Sequence, residues 1–413
     1  MTGASRIFIS VAEALSLIEK HLPLPLRERV KVADASGRVL AEEIIAAESL
    51  PAFSNSAMDG FALRRAEVAG ATREQPVDLP LSGEIAAGEL PPRDWPAQSC
   101  QRILTGAPIP EGCEGVVPVE ETEELEGSIR FFADLAATGS NIRPSGEDVQ
   151  IGDRVLAPGQ TLRPPEIGLL VALGVQEISV TRRPRVGFMA TGDELLAPGE
   201  PSRPGAIRNS NTPMILSLLA ELGIEGVDLG VAPDREDALA TILAPALENC
   251  DLLISSGGVS AGRYDLVGKV FEELGAEWVF HKIAQQPGKP LAFLTWQGKP
   301  VFGLPGNPVS GFFTFWYYVA PALRKMMGRT DAHPHHVIAT LKGTLSGKPK
   351  KQFFGRAYTR WVGDHYEAEP RPPHGSHVLS SLARANSFVI LSPGTGELVE
   401  GAEVTAAFFD GSL

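Results

Sequence analysis

The sequence predicts a multi-domain protein of α/β plus β class: a central doubly wound α/β domain, β-rich N-terminal domains and a C-terminal β-barrel. Three observations carry that expectation. The 413 residues exceed what one hydrophobic core usually holds. Residues 185–304 alternate short apolar strands with helical periods, the rhythm of βαβ units. Both flanks consist of short β-type runs broken by turns, in keeping with 43 Gly and 34 Pro without a Gly-X-Y period.

The first element is a short amphipathic helix over 10–20, with Val11, Leu15 and Ile18 on one face behind a Ser10 cap. Residues 30–182 then read as short strands, among them Val77 to Leu81, Gln101 to Leu104, Val116 to Val119, Ser128 to Phe132 and Glu177 to Val180. From residue 185 the reading changes to buried strands at 185–190 and 251–255, a short strand at 226–230, helices at 212–222, 236–247 and 266–274, two strands in 290–304, and a long closing helix over 309–327. Such alternation predicts a parallel sheet covered on both faces. Strands at 336–341, 351–359, 387–391 and 403–409 suffice for a small barrel. The resulting organisation is 1–50 with 140–182 as a discontinuous linker domain, 51–139 as a β-rich domain, 183–330 as the α/β domain and 331–413 as the barrel.

Charge narrows the function. The net charge is −13, and a general nucleic-acid binder needs a basic surface to displace counterions. The excess is uneven: residues 1–182 carry 16 basic and 27 acidic side chains, residues 183–330 carry 13 and 15, and residues 331–413 carry 8 and 8. The α/β segment is therefore nearly neutral inside an acidic chain. Cys100, Cys113 and Cys250 form no C-x-x-C pair, which excludes a disulfide framework or zinc ribbon. No leader pattern opens the chain and no apolar run reaches 18 residues, so the expectation is a cytoplasmic protein with no membrane partner.

In an open parallel sheet, ligands bind beyond the carboxyl ends of the strands. Three chemically loaded loops fall there: Thr191-Gly192-Asp193-Glu194, Ser255 to Asp265, and Gly303 to Ser310. Ser256, Gly257, Gly258 and Ser260 offer backbone N–H groups and hydroxyls to a phosphate. Asn307 before Pro308 fits an N-cap with proline at the first helical position, following Pro305 and Gly306. Lys282 and Lys289 flank the turn 284–288 and add positive charge. Together these make a cradle for a phosphorylated ligand. Neither a P-loop nor a G-x-G-x-x-G fingerprint is present. Gly258 to Gly262 does fit G-x-S-x-G, the nucleophile elbow, so an α/β-hydrolase-like esterase acting through Ser260 is an alternative. That reading leaves the other loops and the first 180 residues unused. His333, His335 and His336 lie in a Pro-containing stretch between domains and read as a solvated linker rather than a metal site.

Seven segments then stand in a recognisable order: Asn55 to Gly60, Thr105 to Pro108, Gly146 to Asp148, Thr191 to Leu195, Ser256 to Ser260, Pro287 to Pro290 and Leu304 to Ser310. In these the chain resembles the molybdopterin molybdenumtransferases, the MoeA-type molybdenum insertases related to the E domain of gephyrin. The resemblance implies a homodimer of four-domain subunits that takes adenylylated molybdopterin and molybdate, uses Mg²⁺, inserts molybdenum and releases AMP. It implies that Glu194, Asp234 and Asp265 surround the phosphate and metal region, and that Lys282 and Lys289 neutralise anionic charge. Asp59, Thr105 and Asp148 would come from the N-terminal part, in the partner subunit, and Arg356 and Ser376 would lie near molybdate. Implied partners are the molybdopterin adenylyltransferase and apo-molybdoenzymes. Gln286 stands where some members carry lysine. A non-catalytic molybdopterin-binding scaffold is the remaining alternative.

Overall fold

The protein is described by a computed structural model over residues 6–197, 199–258 and 266–409. Its centre is a seven-stranded sheet ordered Arg6–Ile9, Glu277–Ile283, Ala292–Trp296, Lys299–Leu304, Leu252–Ser256, Val186–Thr191, Gly226–Ala232. Val186–Thr191 and Leu252–Ser256 are buried at every residue, which explains their unalternated apolar sequence: both faces are covered. Helices Asn211–Glu221, Glu236–Asn249 and Leu266–Glu273 follow their strands within a few residues of the expected places.

Two features depart from the sequence expectation. The sheet is mixed, because Ala292–Trp296 runs antiparallel to both neighbours. Its connection to Lys299–Leu304 is the two-residue turn Gln297-Gly298, with φ of 49° and 79°. A two-residue loop of that twist joins only antiparallel strands. In addition, the first strand pairs in parallel with Glu277–Ile283, and helix Val11–Lys20 buries Val11, Ala14 and Ile18 in the same core. Residues 6–20 therefore pack with the α/β layer, while residues 27–45 pair with 154–181 in the linker region. Ser10 caps the helix as its sequence suggests, accepting the Glu13 N–H at 3.2 Å.

The closing helix is three pieces in succession: α-helical Pro308–Thr314, a π turn Phe315–Val319, and α-helical Ala320–Met326. Pro321 cannot donate to the carbonyl four residues back, and the wider turn lies directly before it. This helix carries the aromatic joint to the barrel. Phe313 lies 4.5 Å from Phe354 and 5.3 Å from Phe388, Trp316 lies 5.3 Å from Phe388, and Phe312 5.0 Å from Phe409, ring centre to ring centre. Each such pair contributes about 0.5–1.5 kcal/mol beyond its buried area.

The barrel is the closed circuit Gln352–Val362, His365–Pro370, His336–Leu341, Glu403–Phe408, Ser387–Leu391 and back to Gln352–Val362. Closure leaves no free edge. The N-terminal β region is a six-stranded sheet with its own core around Phe61, Leu79 and Phe131. His336 begins the first barrel strand, and the described residues contain no group of three or more His, Cys, Asp or Glu able to hold a metal ion. Among them, too, no helix is long and apolar enough to cross a membrane.

Candidate functional site

A cleft of about 710 Å³ opens where the strands Val186–Thr191, Leu252–Ser256 and Lys299–Leu304 end. Ser256, Gly257 and Gly258 form one wall, Gly306, Asn307 and Pro308 another, and Thr191, Gly192, Glu194 and Asp234 the rim. The second loop lies close against the first because Gly257 lacks a side chain, and Gly192 gives the first loop its own turn. Gly257 has φ +95°, and a Cβ there would stand 2.6 Å from the Thr191 carbonyl oxygen. Gly192 has φ +145°, and its Cβ would stand 2.5 Å from Glu194 Oε2. A larger residue at Gly257 would push its loop away from Thr191, and at Gly192 the positive φ disfavours any side chain.

Polar contacts then lock the walls. Asn211 Nδ2 donates to Ser256 Oγ at 2.8 Å and to the Gly306 carbonyl at 2.8 Å. The Gly306 acceptor fixes which end of the amide is nitrogen, and leaves Asn211 Oδ1 buried without a partner. On the rim, Thr191 Oγ1 donates to Asp234 Oδ1 at 2.6 Å, and the Asp234 N–H donates to Asp193 Oδ1 at 3.3 Å. Glu194 and Asp234 are both exposed, so their carboxylates face water at the cleft mouth.

Asn307 does not act as the expected cap. It stands at the N-cap position, but its side chain makes no capping hydrogen bond. Its Nδ2 donates instead to Ser376 Oγ at 3.2 Å, and the Val309 N–H donates to the Ser376 carbonyl at 3.2 Å. The turn before the closing helix is thus fastened to the barrel. Asn307 also lines a second, smaller cavity of about 200 Å³, formed by Gln285 to Pro290, Pro305, Ser310, Lys351, His374 and Ser376. Gln285 is fully buried beneath this turn; its Nε2 donates to the Gly288 carbonyl at 3.1 Å and its Oε1 accepts from the Tyr318 hydroxyl.

A third cavity of about 490 Å³ adjoins it, sharing Gln286 and His374 and including Lys348, Phe353 and Gly375. Arg356, 1% exposed, lines neither cavity and stands behind Gly375 of the larger one. Its Nη2 donates to the carbonyls of Pro373 and Gly375 at 2.7 and 3.1 Å, while Nε has no partner. Burial lowers its pKa to about 10, so the guanidinium is charged at neutral pH. No carboxylate lines either cavity. A buried cation satisfied only by carbonyls is costly unless an anion joins it.

The candidate residues therefore fall into separate places. Glu194, Asp234, Ser256, Gly257, Gly258, Gly306, Asn307 and Pro308 line the cleft. Lys289, Pro305, Asn307 and Ser376 line the small cavity, and Arg356 stands behind its neighbour. Lys282 lines none of the three cavities; it takes a left-handed φ of 67° beside the turn. Asp59, Thr105 and Asp148 are exposed on the N-terminal part and line none of them either. Asp59 Oδ1 accepts the Thr105 N–H at 2.7 Å and its hydroxyl at 2.9 Å, and these bonds hold the carboxyl below its usual pKa. Ser260 and Asp265 lie outside the described residues. Asn211, Lys351 and His374 escaped the sequence reading. Asn211 sits in an Asn-Ser-Asn run at a helix start, which was a visible signal; the other two become site residues only through the barrel's docking.

Known proteins match nearly the whole length of the chain. Residues 9–174 match the MoeA N-terminal region (domain I and II), 187–325 a probable molybdopterin binding domain, and 339–409 the MoeA C-terminal region (domain IV). The molybdopterin molybdenumtransferase of Haemophilus influenzae is 35% identical over 406 residues, covering 97% of this chain and 99% of that one. Molybdopterin molybdenumtransferase 2 of Mycobacterium tuberculosis is 38% identical over 384 residues, covering 91% and 93%. The crystal structure of the molybdopterin biosynthesis MoeA protein of Pyrococcus horikoshii superposes with a TM-score of 0.83 at 32% identity, covering 98% of this chain and all of that one. With its three regions matched in order and its relatives aligned nearly end to end, the chain belongs to the molybdopterin molybdenumtransferase family of molybdenum cofactor biosynthesis.

Proposed function

We propose that the protein takes adenylylated molybdopterin and molybdate as substrates, places molybdenum on the dithiolene and releases AMP. The observation that carries this reading is the shared wall: Asn307 lines both the glycine-walled cleft and the cation-lined cavity. The first suits a phosphorylated pterin, because N–H groups and hydroxyls can meet its phosphate oxygens. The second suits a small tetrahedral oxyanion, with Lys289, Lys351 and Ser376 lining it and the buried Arg356 behind the adjoining cavity. One substrate lies on each side of a single turn, so the two are held together without tumbling apart.

The donor set fits a magnesium ion. Mg²⁺ keeps several waters and takes one or two carboxylates plus substrate phosphates, and Glu194 and Asp234 offer two exposed carboxylates at the cleft mouth. When bound there it would supply charge neutralisation at the pyrophosphate. Asp234 accepts from Thr191 through Oδ1, which leaves Oδ2 for that role, and the Glu194 carboxylate lies near Gly192. The remaining chemistry is positioning: Asn211 fixes the spacing of two loops, and Asn307 with Ser376 fixes the barrel against them.

Asp59, Thr105 and Asp148 enter this site from a second copy of the chain, in the homodimer implied by the resemblance. Exposed Phe53 and Met58, at 51% and 38%, lie in the segment just before Asp59 and support a contact surface there. The test is direct. Purified protein supplied with adenylylated molybdopterin, molybdate and Mg²⁺ releases AMP in proportion to molybdenum incorporated, and Glu194→Ala does not. AMP release equal in the two proteins would sink the proposal, and pterin binding without turnover would favour the scaffold reading.

A further inference from the structure

His374 is the one titratable residue shared by the two barrel-side cavities. Its ring stands perpendicular to Phe353 at 5.8 Å, and its Nδ1 is buried without a hydrogen-bond partner. The charged groups that act on it or line the two cavities with it are Arg356 from the barrel strand, Lys348 and Lys351 from the turn before that strand, and Lys289 from the turn after Gln286. None is acidic. Burial first, and Arg356 second, pull its pKa down to about 4, so these surroundings by themselves keep the imidazole neutral at pH 7.

We propose that His374 is a proton-coupled oxyanion receptor, taking up a proton from solvent as a tetrahedral dianion enters the pocket and giving the anion one more charged hydrogen-bond donor. The inference rests on the molybdate reading of that pocket. Its physical basis is the sign of the local field. With only cations nearby, a proton on His374 is repelled; a dianion among the same cations reverses the field and favours it. Anion affinity and imidazole protonation are then linked and each strengthens the other. The proton returns to solvent when the anion leaves, so nothing is consumed.

Titration calorimetry of the full chain with molybdate, in two buffers of different ionisation enthalpy, reads the proton directly. At about pH 6, still below the ordinary histidine value, wild type takes up about half a proton or more per molybdate, and close to none at about pH 8. Its affinity rises several-fold between the two. His374→Gln binds with no uptake and no such rise. Should the variant fail to fold, histidine resonances of the wild type supply the same answer, since one imidazole must become protonated at about pH 6 only when molybdate is added. Binding without proton uptake, or equal uptake in His374→Gln, overturns the inference alone. No molybdate binding by wild type overturns the pocket's assignment as well.

Discussion

The barrel-side pocket and the N-terminal Asp59 turn both carry charge, and they carry it in opposite ways. Arg356 is buried, has only carbonyls for partners and keeps an unpaired Nε. Asp59 is exposed and doubly bonded by Thr105 within its own domain. An unsatisfied buried cation signals a missing anion, because the fold alone gives no return for its desolvation. A satisfied exposed carboxylate signals nothing by itself, and only another surface laid over it can give it a task. The first is enclosed within one chain; the second gains a task only in the homodimer proposed above.

That contrast can be broken most severely at Arg356. Arg356→Met removes the buried charge while keeping much of the volume, and molybdate-dependent AMP release is expected to fall by about 100-fold or more. Thermal stability should stay level or rise, since a buried uncompensated ion is replaced by an apolar chain. A large loss of stability would mean that the guanidinium serves the fold. At the cleft, Asp234→Asn is expected to lower the rate by about 10- to 100-fold and to raise the Mg²⁺ concentration needed; an unchanged Mg²⁺ response would remove Asp234 from the metal region.

Asn211→Ala tests a smaller term. It deletes two hydrogen bonds between loops and also removes an orphaned carbonyl oxygen, so the net cost in unfolding free energy should be only about 1–2 kcal/mol. KM for the pterin substrate should rise more than kcat falls, which a denaturant titration and a rate profile together would reveal. The smallest effect is expected at Asp59. Its folded pKa is below the unfolded value, so its contribution is present above the ordinary carboxylate range and lost as pH falls through the folded pKa. Thr105→Val should raise that pKa, as carboxyl NMR titration would show, with little change in thermal stability.

Much of the cleft was legible before any coordinates. Ser256, Gly257 and Gly258 follow an apolar strand, and Gly306, Asn307 and Pro308 follow another, so their common end of the sheet follows from chain direction alone. Asn307 shows where local reasoning fails. Its sequence position before Pro308 favours capping, yet its amide bonds Ser376, about 70 residues later, because the barrel brings a competing acceptor within reach. Ala292–Trp296 failed for a similar reason: an apolar run shows burial but not direction, which the Gln297-Gly298 turn decides.

The sequence by itself determined the class, the order of strands and helices in the α/β segment, the loops at its ligand-binding end and the family resemblance. These rest on local periodicity, turn chemistry and linear motifs, all of which are properties of neighbouring residues. Only the tertiary structure decided that Arg356 and the Nδ1 of His374 lose their solvent, that Lys289 and Lys351 line one pocket, and that Asp59 stands apart from the cleft. Solvation and field depend on what the distant chain brings close, and no window of sequence contains that distance.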